Sequence, residues 1–371
     1  MATNADDLAS KFRLNFRIFK QAEELLSSKI SAASDRSTLE VGGEFVYFQT
    51  LIDCLQRMKP NEHDRDELKS YLEQQYKNNQ PKLDQLNEFY STYSPDKAVY
   101  WYTAEPFFYV TINAALRTQD IDIMFLYRSF LADMYQQLSK YQSQRKITVY
   151  RGQIISKNEL ETLKKSIGQL VSTNSFFSTS DDQDVAAIFS APDHIFDDME
   201  RVLFVIEVDP RMVDTRPFAD IGEYSKYPDE HEILFMFSSI FRVNSVDERE
   251  ASIWIIRMSL CDDDDPDVQE VLKYMQKQNG KGETNLLTLC KLLCKIGRYE
   301  LAEKYYQRFL RDLSPEDPLR LSVYEDMAAI KSQHGDFNDS VEWQRKALQW
   351  KQLYDASYRN KTSKSLIMAN P

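Results

Sequence analysis

Three short stretches of this 371-residue chain carry residue types that could do chemistry together. The first is Val149-Tyr150-Arg151-Gly152, an arginine closing an apolar run with a glycine behind it. The second is Ser175-Phe176-Phe177-Ser178-Thr179-Ser180, hydroxyls ending another run. The third is Pro228-Asp229-Glu230-His231-Glu232-Ile233-Leu234-Phe235, an acidic pair entering an apolar segment. A guanidinium presents a planar fork of donors that suits phosphate or carboxylate. Paired carboxylates can orient and deprotonate a nucleophile or steady a developing cation. Singly, each stretch has an ordinary structural use as an ion pair, a helix N-cap or a solvated acidic turn. Their conjunction, in the order Arg, Ser-Thr-Ser, Glu-x-Glu, sets them apart.

The elements that must position these residues begin where the apolar period falls from 3.6 to 2, at Ile147. Strands are expected at 147–151, 171–178, 202–208, 232–238, 241–246 and 252–258, with helices at 157–166 and 180–190, the second capped by Ser180 or Asp181. Irregularly spaced strands with occasional helices predict an α+β domain with a mostly antiparallel or mixed sheet. Upstream the period is helical: Leu8, Phe12, Phe16, Phe19, Leu26 and Ile30 mark an amphipathic helix, and 45–58 and 65–77 read as two more. The helical reading continues over 81–144 and becomes aromatic, with Trp101, Tyr102, Phe108, Tyr109 and Phe130 expected in a core.

Downstream, Asp262 to Asp265 followed by Pro266 reads as a solvated linker. Beyond it lies an internal repeat. Gly297, Tyr299, Ala302 and Tyr306 recur 38 positions later as Gly335, Phe337, Ser340 and Gln344, and Ala347 matches Phe309. Each copy reads as helix, Gly-x-aromatic, helix, which resembles a tetratricopeptide repeat with a lengthened connection. Arrays of that kind dock peptides or proteins. The helix at 267–278 is expected to cap the array. The resulting division is a helical region at 1–84, a catalytic domain at 85–260, an acidic linker and capping helix at 261–282, repeats at 283–360 and a tail at 361–371.

Composition narrows the function. Forty-six basic against fifty-eight acidic residues give a net charge of −12, which argues against nucleic acid or an anionic membrane as the main partner. Neither G-x-G-x-x-G nor G-x-x-x-x-G-K-[ST] occurs, so the two commonest phosphate cradles are missing. Cys290 and Cys294 are expected on a buried helix face rather than at a metal. A polar N-terminus, four cysteines and no apolar run near the ~18 residues of a membrane span predict an intracellular, cytoplasmic protein.

The Arg, Ser-Thr-Ser, Glu-x-Glu series resembles the R-S-E signature of the arginine-specific, cholera-toxin-like mono-ADP-ribosyltransferases. The resemblance covers roughly residues 93–260. It includes Trp101-Tyr102-Thr103, Tyr109 and Asn113-Ala114-Ala115-Leu116-Arg117, which are similar to that family's segment before its Y-R-G strand. Fusion to C-terminal repeats resembles invertebrate members. The resemblance implies the ADP-ribosyltransferase fold, NAD as substrate, an arginine-bearing protein acceptor and no metal. It makes Glu232 the carboxylate that stabilises an oxocarbenium-like ribose, and Glu230, on the same side of the strand, the group that directs transfer to arginine. Arg151 would hold the cofactor's phosphates and Ser178 would hold Glu232. Gly152 would let the backbone approach nicotinamide, and Phe177 or an aromatic from 189–196 would stack on its ring. His231 stands where relatives are often acidic or small, and Met236 to Ser239 where they often carry proline. An NAD glycohydrolase and a catalytically inert repeat scaffold are the competing readings.

Overall fold

β-Branched and aromatic residues dominate the chain from 147 to 260, and the pleat they favour forms there. In the computed structural model, which describes residues 30–32, 44–59, 63–104, 106–142, 145–183, 198–209, 216–227, 231–249, 253–261 and 263–368, that region holds nearly all of one nine-stranded sheet. Its strands are β1 (Ile30–Ala32), β2 (Ile147–Ser156), β3 (Leu170–Thr173), β4 (Phe177–Ser180), β5 (Met199–Val208), β6 (Phe218–Asp220), β7 (Glu232–Phe235), β8 (Ile240–Arg249) and β9 (Ile253–Leu260). They lie in the order β1-β3-β8-β9-β5-β2-β4-β7-β6, and every neighbouring pair is antiparallel except β5 with β9. Alternation sends Val149, Phe177, Phe204, Ile233, Phe235 and Ile256 into one buried core. The opposite face packs Leu203 and Ile255 with Tyr150 and Val205.

The strand expected at 147–151 runs on to Ser156, and two others are divided or cut short. The stretch 171–178 is two strands, β3 and β4, parted at residues 174–176, because β3 pairs with β8 while β4 pairs with β2 and β7. The strand expected over 232–238 ends at Phe235. Ser238 turns the chain with φ +68, and its N–H reaches the Thr173 carbonyl at 2.8 Å.

The helical lead-in comprises α1 (Glu44–Gln56), α2 (Asp64–Gln75), α3 (Gln80–Thr92), α4 (Ala98–Ala104), α5 (Pro106–Thr118), α6 (Ile121–Leu126) and α7 (Arg128–Lys140). Its centre is aromatic: Phe89 lies 4.4 Å from Phe108, ring centre to ring centre, and Phe108 stacks on Phe130 at 5.0 Å. A buried Asp64–Arg128 ion pair joins α2 to α7. The amphipathic helix expected over 8–30 falls almost wholly outside the described residues. After β2 comes α8 (Lys157–Lys165), capped by Ser156 as its side chain accepts from the Glu159 N–H at 3.1 Å.

The chain divides into two units, one of residues 1–56 and 60–277, the other of 57–59 and 278–371. Helix α9 (Pro266–Asn279) lies largely in the first unit, where its Val268, Val271 and Met275 pack against Val46, Leu170, Ile240 and Cys261. The acidic run before it is tied down there. Asp263 pairs with Arg216 at 3.6 Å, and Asp265 and Asp267 pair with Arg242 at 2.7 and 3.1 Å. Of the run read as a solvated linker, Asp262 lies outside the described residues, and Asp263 and Asp265 are held in these ion pairs.

The second unit is built from α10 (Leu286–Lys295), α11 (Tyr299–Asp312), α12 (Leu319–Gln333) and α13 (Phe337–Met368). Gly297 and Gly335 follow α10 and α12 with φ of +73 and +81, the left-handed conformation that ends a helix most readily with glycine. The matched small residues Ala302 and Ser340 are both buried, and the Ser340 hydroxyl donates to the Ala328 carbonyl at 2.8 Å. Cys290 is buried on α10 and Cys294 half-buried one turn on. Among the described residues no helix is long and apolar enough to cross a membrane.

Candidate active site

Strands β2, β4 and β7 bring the three chemistry-bearing stretches side by side. The register sets Tyr150 opposite Ser180, and Ser180 opposite Glu232. Alternation then places Ser178, Ser180 and Glu232 on one face, and Arg151, Phe177 and Thr179 on the other. The β2–β4 ladder is a single residue pair long. Beyond it the ladder stops, leaving Gly152 and Ser178 on the two sides of an opening.

Arg151 spans that opening. Its Nη1 donates to the Ser178 carbonyl at 2.7 Å and its Nε to Gln153 Oε1 at 3.2 Å, while the guanidinium lies 4.7 Å from the centre of the Phe177 ring. A side chain thus satisfies a carbonyl where the strand ladder stops. Burial draws the Arg151 pKa down to about 10, against the upward pull of the Glu232 carboxylate. The guanidinium therefore stays charged at neutral pH and lies within electrostatic reach of Glu232.

Glu232 is 3% exposed and opens β7. Its carbonyl accepts from the Ile221 N–H at 2.9 Å, which fixes the backbone just where the strand begins. Behind it sits Tyr102 of α4, fully buried, whose Oη accepts from Asn113 Nδ2 at 2.9 Å. The Asn113 Oδ1 accepts from the Phe176 N–H at 3.2 Å, so one amide ties the lead-in helices to the entry of β4. Burial holds the Tyr102 phenol well above its ordinary pKa and the Glu232 charge raises it further, so the ring stays neutral. His231 stands at φ +47, in the left-handed region. The described pleat of β7 begins at Glu232.

A sequence profile described as ADP-ribosyltransferase exoenzyme matches residues 68–265, just over half of the chain. The chain belongs to that family. No curated protein matches it. Solved structures with the same fold are more distant. Vis toxin from Vibrio splendidus is 22% identical over 56% of this chain and 90% of its own, with a TM-score of 0.36. HopU1 of Pseudomonas syringae pv. Tomato DC3000 is 18% identical over 55% and 100%, with a TM-score of 0.37. C3stau2 from S. aureus, solved with NAD, is 16% identical over 48% and 92%, with a TM-score of 0.35.

In this ADP-ribosyltransferase, Arg151, Gly152, Phe177, Ser178 and Glu232 gather at neighbouring strands β2, β4 and β7. Glu230 and the aromatic segment 189–196 lie outside the described residues. Ser180, rather than Ser178, stands directly opposite Glu232, and Ser178 is its diagonal neighbour on the same face. Ser180 Oγ also accepts from the Asp182 N–H at 3.1 Å, and the helix expected over 180–190 lies outside the described residues beyond 183. Gln153 and the Tyr102–Asn113 pair are the site residues that spacing did not single out. Gln153 was within reach of pattern reasoning, since residues two apart on a strand share a face. Asn113 was not, because a polar residue inside a helix declares no partner sixty positions away.

Proposed function

We propose that this chain is an arginine-directed mono-ADP-ribosyltransferase, moving ADP-ribose from NAD to an arginine side chain of a protein and releasing nicotinamide. Support comes from the neighbouring strands β2, β4 and β7, which carry Arg151, Ser178 and Glu232 in a chain of this family, with the Arg151 guanidinium within electrostatic reach of Glu232. In the proposed reaction the bond between C1′ of the ribose and nicotinamide breaks, and its electron pair leaves with the neutral base. The positive charge left on the ribose is stabilised by the Glu232 carboxylate, which is desolvated and therefore strong in its field. Arg151 supplies donors for the phosphates and holds the mouth of the opening at Ser178. Gly152 leaves room for the amide of nicotinamide, and Phe177, buried beneath the Arg151 guanidinium, is proposed to back the pocket rather than to face it. Glu230 orients the acceptor guanidine and takes its proton as the new C1′–N bond forms, since a guanidinium with a pKa above 12 is no nucleophile until deprotonated.

The helical unit is proposed as a tetratricopeptide-like docking element and the compartment as cytoplasmic. The test is incubation with NAD and agmatine, following nicotinamide and ADP-ribosyl-agmatine together by mass spectrometry. Glu232→Gln is expected to lower both about 10³-fold, the upper range for removing one transition-state electrostatic partner. Glu230→Gln is expected to keep nicotinamide release and lose the agmatine adduct. Release of nicotinamide with free ADP-ribose alone from the wild type would overturn the arginine reading and leave a glycohydrolase.

A further inference from the structure

Strand β2 loses one neighbour just where the candidate site begins. Its ladder with β4 consists of Tyr150 and Ser180 alone, whereas on the other side β5 continues, with Phe204 opposite Arg151 and Val202 opposite Gln153. Arg151 and Gln153 stand two apart, so their side chains share a face of the strand. Both are buried. Gln153 Oε1 accepts from Arg151 Nε at 3.2 Å, and the Ser178 carbonyl accepts from Nη1 at 2.7 Å. A guanidinium is a rigid planar fork, so bonds from two of its nitrogens fix both its plane and its direction.

The kind of acceptor at Nε sets this arginine apart from two others in the same unit. Arg128 and Arg216 are also buried, and each has a carboxylate as partner, Asp64 and Asp263 respectively. At Arg151 Nε the acceptor is an amide. Glutamate would place an oxygen on a stem of the same length and would bond a cation more strongly. It would also set a negative charge beside the fork, and in a desolvated site that charge opposes an incoming anion at short range. Glutamine orients the fork and leaves its positive charge undiminished.

We infer that Gln153 is a positioning residue for the dinucleotide: it aims the Arg151 fork through a neutral bond and so keeps the charge of that fork for the phosphates of NAD. The inference rests on the NAD-dependent reading of the site proposed above.

Two variants of the full chain separate this role from packing. Gln153→Glu keeps the stem and an acceptor oxygen and changes the charge; Gln153→Met keeps the length and loses the acceptor. Calorimetric titration with ADP-ribose, which carries the phosphates without nicotinamide, is made at a temperature where circular dichroism shows the wild type and both variants folded. Gln153→Glu is expected to raise the Kd about tenfold, the low end for an interaction of a charged group. Gln153→Met is expected to raise it only about threefold, the loss of one ordinary hydrogen bond. The KM for NAD in nicotinamide release is expected to rise in the same order, with kcat changed less. A packing role reverses that order, leaving Gln153→Glu close to the wild type and Gln153→Met the weaker binder, and that result would overturn the inference. Equal Kd values for all three proteins would do so as well. A wild type that binds neither ADP-ribose nor NAD would overturn the reading of the site itself, and the inference with it.

Discussion

The two units handle polarity in opposite ways. Among the described residues the buried charged side chains Asp64, Arg117, Arg128, Arg151, Arg216 and Glu232 all belong to the first unit. The exposed large hydrophobics are distributed the other way: Ile167 lies in the first unit, and Leu319, Phe337, Val341, Leu348, Leu353 and Tyr354 in the second. A charge taken out of water is unfavourable unless something nearby answers it. In the first unit Asp64 pairs with Arg128, and Arg216 donates to Gln49 at 3.2 Å and pairs with Asp263. Desolvated charge is useful where bonds break, because its field is weakly screened. Apolar surface left in water is useful where molecules meet. The contrast is between a unit that holds charge out of water and one that leaves apolar surface in it.

The contrast breaks most severely if the boundary between the units is misplaced. A chain ending after Leu260 lacks Cys261, Val268, Val271 and Met275, each worth about 1.5–3 kcal/mol of burial. Against a total stability of about 5–15 kcal/mol, that chain is expected to fail to fold. A chain ending after Lys277 keeps those contacts and is expected to melt cooperatively. Equal melting temperatures for the two would show α9 to be dispensable to the first unit.

Arg151→Lys tests whether the buried charge acts through its fork rather than its sign. An ammonium cannot hold the Ser178 carbonyl and Gln153 together while lying over Phe177. Stability is expected to fall by about 1–3 kcal/mol, the range for a buried group left without its partner, and nicotinamide release to fall with it. Activity and melting temperature both unchanged would reduce Arg151 to a point charge. The smallest effect is local. His231→Val puts a β-branched residue at φ +47 and is expected to destabilise by roughly 1–2 kcal/mol, whereas His231→Gly at the same position relieves the backbone. Thermal denaturation of the two variants, expected to move in opposite directions, checks the left-handed entry to β7.

Those variants also mark where the sequence was legible. The strands carrying Arg151, Ser178 and Glu232 follow from a local rule, the change of apolar period at Ile147, and the structure places them as neighbours. Gly297 and Gly335 end helices for an equally local reason. The left-handed turn at His231 was not legible, because histidine gives no signal of it beforehand. The Asp262 to Asp265 run looked like solvent-facing linker because its partners, Arg216 and Arg242, stand tens of residues upstream. Likewise nothing within 174–176 indicates that the two halves of that stretch join different strands. What was missed depends on contacts between distant residues, and composition and period do not encode those.

The strand order has one more outcome, concerning time. β9 is the last strand of the sheet in sequence, yet it lies between β8 and β5, and among the described strands it alone carries the hydrogen-bonded ladder from β1-β3-β8 to β5-β2-β4-β7-β6. A growing chain can bring β2, β4 and β7 together early, but the two half-sheets have no common member until residue 260 has been made. Contacts closed across such long separations form slowly. The ladder across the whole sheet is therefore expected to close last in folding, after β2, β4 and β7 have paired.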